Sequence, residues 1–295
     1  MVQVQKSFKD QVAGGYGTLY LVATPIGNLE DMTFRAIRTL KEVQLIAAED
    51  TRQTRKLLTH FEISTRLVSY HEHNKQASGS ELIRLLTEGQ SIALVSDAGL
   101  PAVSDPGADL VADAVEQGIT VVPIPGANAA LSALIISGLP TEQFMFTGFP
   151  PREKKSLGEW LKRLQYQEGT LMMYESPHRL KKTLDAMLEH WGDRKIAMVR
   201  ELTKRHEEAA RGTISECLAF LEEHPPLGEY CLIIEGAVAG AGDHAQSGES
   251  WWASLELEEH VDHYEKEGND RKEAIKKAAL DRGLPKREVY NAVNR

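Results

Sequence analysis

"IALVSDAGLPAVSDPG" (residues 92–107) sets the frame for the rest of the chain. Ile92 to Val95 run without a polar break, as a strand buried on both faces requires. The next twelve residues hold two aspartates, two prolines and two glycines, and an amphipathic stretch follows. A connection between elements needs only a few residues. This one is longer, stiffened by proline and opened by glycine so that a ligand can approach its backbone. A loop at the carboxyl end of a parallel strand is where open α/β sheets bind ligands.

The same order repeats on both sides. "LYLVA" (19–23), "LIAA" (45–48), "TVVPI" (120–124) and "FMFTG" (144–148) read as further strands, alternating with helical patterns at 31–42, 51–61, 78–89, 106–117 and 127–138. This alternation predicts a mostly parallel sheet covered by helices. A second set follows, with strands at 170–175, 195–200 and 230–236 and helices near 154–167, 177–191 and 214–223. The Pro-, Gly- and charge-rich "GFPPREKK" (148–155) reads as a hinge. The expected division is a leader over 1–16, α/β domains over 17–149 and 150–238, a linker over 239–250 and a helical module over 251–295.

In that module Ala274, Ile275, Ala278 and Ala279 share one helical face. Gly283 and Pro285 mark the end of one helix and the start of the next, and Val289, Tyr290 and Val293 repeat the spacing. Two short helices joined by a glycine turn form a helix-turn-helix pattern, or a small pair packed on the body or on a dimer partner.

Composition narrows the class. The 295 residues carry a net charge of -9, which disfavours indiscriminate nucleic-acid binding. The balance is uneven: residues 270–295 hold eight Lys/Arg against four Asp/Glu, and residues 240–269 one against eight. Cys217 and Cys231 lack metal spacing and read as buried thiols of a reducing compartment. No apolar run approaches the roughly 20 residues of a membrane span, and the first fifteen residues have no signal-peptide core. A cytoplasmic protein without a membrane partner is expected.

Four loops follow strand ends in the first half. "ATPIGNLED" (23–31) is neither a dinucleotide fingerprint nor a P-loop. In "AAEDTRQTRKLL" (47–58), Glu49, Asp50 and Arg52 sit at a strand-to-helix junction, as helix caps or as substrate contacts. In the opening loop, Asp97 is the better candidate for a ligand contact, and Asp105-Pro106 reads as the helix start. "PIPGANAALSAL" (123–134) opens a helix whose free amides suit an anion, and its alanines suit either a flat ligand or close packing. In the second half, "YESPHRL" (174–180) and "RELTKRHEEAARGT" (200–213) crowd polar groups behind apolar strands. "HEH" (71–73) lacks a metal partner set, so no metal is expected.

"TPIGNLED", "AAEDTR", "SDAGLPAVSDPG", "PIPGANAA", "YESPHR", "ELTKRHEE" and "GEYCLIIEG", in that order, closely resemble the ribosomal RNA small-subunit methyltransferase I family of the tetrapyrrole methylase superfamily. The resemblance covers about residues 17–237, and the C-terminal "DRKEAIKKAALDRGLPKREVYNAV" is similar to the family's helical module. It implies two α/β domains with S-adenosylmethionine in the cleft between them, usually in a homodimer. The implied activity is methylation of the ribose 2'-hydroxyl of a cytidine in small-subunit (16S) ribosomal RNA, with the assembled 30S subunit as the expected partner. By resemblance, Pro25, Ser96, Asp97, Ala98, Val103, Gly126, Ala127, Asn128 and Ala129 face the cofactor from the first domain, and Tyr174 and Glu175 from the second. The family often has Pro-Gly-Pro where this chain has Pro125-Gly126-Ala127.

Methyl transfer from a sulfonium needs alignment and no metal. A ribose hydroxyl is a poor nucleophile, so a base or a charged hydrogen-bond partner should help. Glu49, Asp50, Glu201, Lys204 and His206 are the candidates. Arg52, His178, Arg179 and Arg211 are candidates for RNA phosphate contact, or form structural ion pairs. A methyltransferase of small tetrapyrroles of the uroporphyrinogen or precorrin type is the alternative enzyme. A nucleotide- or RNA-binding regulator is the non-enzymatic one. The basic C-terminal module favours RNA, and the crowded polar loops favour catalysis.

Overall fold

The computed structural model describes residues 4–5, 15–238, 252, 255–266, 268–282 and 284–293. The expected linker, Gly283 and most of the expected leader lie outside the described residues. Of the leader, Gln5 uses its side-chain amide to bond both the N–H and the C=O of Val121. The chain divides into two compact units, Met1–Gly236 and Ala237–Arg295.

The first unit holds two five-stranded sheets. In the first, β1 (Thr18–Val22), β2 (Leu45–Ala48), β3 (Leu67–Ser69), β4 (Ile92–Val95) and β5 (Thr120–Ile124) lie in the order β3-β2-β4-β1-β5, all parallel. Its inner strands are apolar because both faces are covered. Ile46, Ala48, Ala93 and Val95 pack under α1 (Phe34–Glu42) and α2 (Thr51–His60). Leu45, Ala47, Ile92 and Leu94 pack under α3 (Lys75–Thr87) and α4 (Ala108–Glu116). Because β4 lies between β2 and β1, the loops leaving β4 and β1 sit side by side at the carboxyl edge.

The second sheet contains β6 (Phe144–Phe146), β7 (Thr170–Glu175), β8 (Lys195–Arg200), β9 (Glu208–Thr213) and β10 (Tyr230–Ile234), in the order β6-β7-β10-β8-β9. Only β6–β7 is parallel. One face packs on α6 (Lys154–Leu164), α7 (Leu180–Trp191) and α8 (Ile214–Glu223). The other packs on α5 (Ala129–Ser137), where Ala130, Ala133 and Leu134 meet Met172, Ala197, Val199, Cys231 and Ile233.

Three sequence expectations change here. The strand at 144–146, grouped with the first half, pairs with β7. Helix α5, also grouped with the first half, covers the second sheet. Residues 208–213, read as the tail of a polar loop, form β9 against β8. Cys217 and Cys231 are free and buried, as expected.

The second unit contains α9 (Leu257–Lys266), α10 (Arg271–Arg282) and α11 (Lys286–Val293). Ala274, Ile275, Ala278, Ala279, Val289 and Val293 form its core with Val261, whereas Tyr290 is exposed. The expected helix pair is therefore α10 and α11, with α9 added in front. His260 is fully buried there. Its Nδ1 accepts from Arg282 Nε at 3.0 Å, its Nε2 meets Asp281 Oδ2 at 3.1 Å, and its ring stacks on Trp252. Among the described residues, no helix is long and apolar enough to cross a membrane.

Candidate active site

The loop after β4 is shaped by backbone that side chains resist. Gly99, Ala102, Ser104 and Gly107 all have positive φ. Such strain persists where surrounding structure over-determines it, and it gathers at functional sites. Any substitute at Gly107 would be strained by its φ of 137°, and its Cβ would lie 2.6 Å from Leu94 Cδ2. The loop is tied to its neighbour after β1: Thr24 and Gly99 exchange two backbone hydrogen bonds, 2.9 and 3.0 Å long. Thr24 Oγ1 donates to the Ser96 carbonyl at 3.1 Å, and buried Ser96 Oγ donates to the Gly99 carbonyl at 3.2 Å. Ser96 thus fastens the loop from beneath.

From this platform opens a cavity of about 570 Å³. The first sheet's loops contribute Glu49, Asp97, Ala98, Val103, Asp105, Asn128 and Ala129; Tyr174, Glu201 and Lys204 face them from the second sheet's side. The structure brings together nine of the expected residues: Glu49, Asp97, Ala98, Val103, Asn128, Ala129, Tyr174, Glu201 and Lys204. Asn128 also caps α5, its Oδ1 accepting from Leu131 N–H at 2.8 Å. Tyr174 packs against Phe146 and Phe149, and burial pushes its phenol up to about 12. Lys204 Nζ pairs with Glu201 Oε1 at 2.9 Å.

The carboxylates of the first wall repel one another. Burial raises the Glu49 carboxyl above its ordinary value; Asp97 and Asp50 add to this, and His71 opposes it. Burial, then Glu49 and Asp97, push Asp105 up to about 6, and the nearby Ser96 hydroxyl opposes them. Asp105 does not start α4 as the sequence suggested. The α4 N-cap is Gly107, with no side-chain cap bond, and Asp105 lines the cavity instead.

Other expected residues stand apart. Pro25 and Ser96 line a side groove of about 410 Å³ that shares Asp97 with the cavity. Gly126 approaches the first sheet, where a Cβ would lie 2.8 Å from Ala23 Cβ. Ala127 likewise lies outside the cavity lining, with its carbonyl facing Gly99. Glu175 is corrected: it is fully buried, accepts from Ser176 N–H and from Thr183 Oγ1, and faces Arg179. Neighbouring strand residues point to opposite faces, so Tyr174 in the cavity puts Glu175 beneath the sheet.

Asp50 caps α2 and pairs with Arg52, whose hydrogen bonds hold its carboxyl down to about 2. Arg179 donates to the carbonyls of Pro150 and Pro151, which replaces the phosphate contact expected of it with a structural one. Arg211, on β9, donates to the Ile136 carbonyl and pins α5. His178 is exposed outside the cavity. His206 lines an open groove with Arg205 and Glu207 that shares Arg200, Glu201 and Gly228 with the cavity.

Sequence reasoning assigned no role to Gly228 and Glu229 of "GEY", which join the cavity wall. Gly228 is required there by a positive φ and by Glu201 Oε1, 3.0 Å from where its Cβ would stand. The Pro-Leu-Gly approach to β10 was the available signal.

Residues 18–218 match the family model of the Tetrapyrrole (Corrin/Porphyrin) Methylases. The chain is 59% identical over 275 residues to the ribosomal RNA small subunit methyltransferase I of Halalkalibacterium halodurans, covering 93% of this chain and 94% of that one. It is 56% identical over 292 residues to the protein of the same name from Bacillus subtilis, covering 99% and 98%. Among solved structures, a uroporphyrin-III-C-methyltransferase from Thermus thermophilus superposes with a TM-score of 0.54 at 22% identity, over 77% of this chain and 98% of that one. That likeness concerns the fold.

Proposed function

Since the chain belongs to the ribosomal RNA small subunit methyltransferase I family of the tetrapyrrole methylases, we propose that it transfers a methyl group from S-adenosylmethionine to the ribose 2'-hydroxyl of a cytidine in small-subunit ribosomal RNA. The observation that carries the reading is the meeting of loops from both sheets at one cavity with an acidic wall. A cavity of about 570 Å³ is within the range that holds a cofactor of this size. Its uncompensated carboxylates suit a cationic ligand, and Tyr174 with Phe149 supplies an aromatic floor.

Asp97, Ala98, Val103, Asn128, Ala129 and Tyr174 would hold the cofactor, which when bound supplies an electrophilic methyl group. Glu49 is the residue we assign to take the hydroxyl proton, on its carboxylate oxygen. It lines the cavity, and its raised pKa brings it nearer the operating pH of a general base. The Lys204–Glu201 pair orients the attacking ribose, and the open groove at Arg205 and His206 admits the RNA strand. The groove is where this acidic protein offers cations to phosphate, and residues 270–295 add a second basic surface. The reading extends to a homodimer that acts in the cytoplasm on the assembled 30S subunit, with residues 251–295 engaging the RNA.

The test is incubation of the purified protein with labelled S-adenosylmethionine and, separately, 30S subunits, naked ribosomal RNA and uroporphyrinogen. Nucleoside analysis should recover the label as 2'-O-methylcytidine from the 30S sample. Label in the tetrapyrrole, with none in either RNA sample, would overturn the reading.

A further inference from the structure

Glu49, Asp97 and Asp105 crowd one wall of the cavity. Among the described residues, none of the three forms a salt bridge. The cations around them are engaged elsewhere: Arg52 with Asp50, Lys204 with Glu201, and Arg200 through two nitrogens with Glu208. Within the wall the three carboxylates differ. Asp97 Oδ1 accepts the backbone N–H of Asp50 at 3.0 Å. Glu49 has His71 nearby, which opposes the repulsion. Asp105 feels Glu49, Asp97 and Glu229 together, and is relieved by the Ser96 hydroxyl.

The backbone keeps Asp105 in this unfavourable place. Ala102 and Ser104, just before it, have φ of 66° and 62°, and Gly107, just after it, has φ of 137°. The carboxyl is not needed as a helix cap, since α4 is capped at Gly107 without a side-chain bond. A strained loop therefore holds a half-buried carboxylate among like charges, at a cavity, with no salt-bridge partner among the described residues. A positively charged ligand relieves that repulsion, and a neutral ligand of the same shape does not.

We propose that Asp105 makes the cavity selective for the charge of its ligand, binding a sulfonium methyl donor tightly and the neutral thioether product weakly. The inference rests on the cofactor reading above. The two ligands differ by one methyl group and one positive charge, so a residue that acts through charge changes the ratio of their affinities. A residue that acts through packing changes both affinities alike. Selectivity of this kind empties the site after each turnover.

Calorimetry on the full chain tests it with S-adenosylmethionine, its amine analogue sinefungin and S-adenosylhomocysteine. Asp105 becomes charged as pH rises through about 6. In the wild-type protein, the preference for the two cationic ligands over the thioether should therefore grow between about pH 5 and about pH 7.5. Asp105→Asn should cut that preference by about tenfold and remove its pH dependence, and Asp105→Glu, which keeps the charge, should restore most of it. A wild-type preference that does not change with pH overturns the proposal without any variant. So does an Asp105→Asn protein in which all three affinities fall together. In both cases S-adenosylmethionine still binds and the cofactor reading stands. Failure of the wild-type chain to bind any of the three ligands would overturn the cofactor reading, and the proposal with it.

Discussion

Asp97 occupies the junction of the cavity and the side groove, and its carboxylate braces the start of α2 through Asp50 N–H. Replacing it with alanine removes one exposed hydrogen bond, worth about 1 kcal/mol to the fold. It also removes a carboxylate from the acidic wall of the cavity. Asp97→Ala should therefore weaken S-adenosylmethionine binding by about tenfold or more while the melting temperature shifts by only a few degrees. Wild-type affinity in calorimetry would refute the binding role. Cavity residues of this kind were legible because each lies in a loop that opens where an apolar strand ends: Glu49 immediately after β2, Asp97 two residues beyond β4, Asn128 four residues beyond β5. Asp105 was not, because Asp-Pro-Gly before an amphipathic stretch has the composition of a helix start. Glu175 adjoins Tyr174 in the same motif, but strand alternation places it on the opposite face of β7, away from the cavity.

The loops of the two sheets touch at Gly27. A Cβ there would lie 2.6 Å from Lys204 Cγ and 2.9 Å from the Leu202 carbonyl oxygen. The side chain can move, but the carbonyl belongs to a turn fixed by positive φ at Glu201 and Thr203. Gly27→Ala should push the turn at 201–204 away from the loop after β1 and displace the Lys204–Glu201 pair. The expected result is a fall in kcat of about a hundredfold, the size of effect that an ångström of misplacement produces, with a near-normal cofactor Kd. Unchanged kcat would show that the contact is not needed. At this scale the four longer strands of the parallel sheet were legible as apolar runs, whereas its edge strand β3, three residues long and only partly buried, was not. The second sheet was legible only in its centre. β9 reads "EAARGT", an edge strand lacking β-branched and aromatic residues except for its final threonine. Helix α5 reads "AALSALIIS", apolar on nearly every side, so no stripe in its sequence indicates which sheet it covers.

For the molecule as a whole, charge and architecture separate. The body is acidic, and the basic excess of residues 270–295 falls in a unit with its own core. A chain ending at residue 237 should keep its thermal unfolding transition and its affinity for S-adenosylmethionine, because every residue of the cavity precedes that point. Its use of 30S subunits should fall, with a weaker salt dependence as phosphate contacts are lost. Loss of cofactor affinity in the shortened chain would instead assign the helices a structural role in the body.

The position of β10 bears on how the chain is made. Among the described residues it is the last strand synthesised, yet it pairs with β7 on one side and β8 on the other, at the centre of its sheet. Until residue 234 has left the ribosome, β7 and β8 have no common partner, and the apolar underside of α5 has only part of its cover. The first sheet is complete about a hundred residues earlier and can close during translation, as amino-terminal units generally do. The second sheet can only close at once, when β10 arrives. During that interval the nascent chain exposes two unpaired strand edges, the kind of surface on which partly folded chains aggregate.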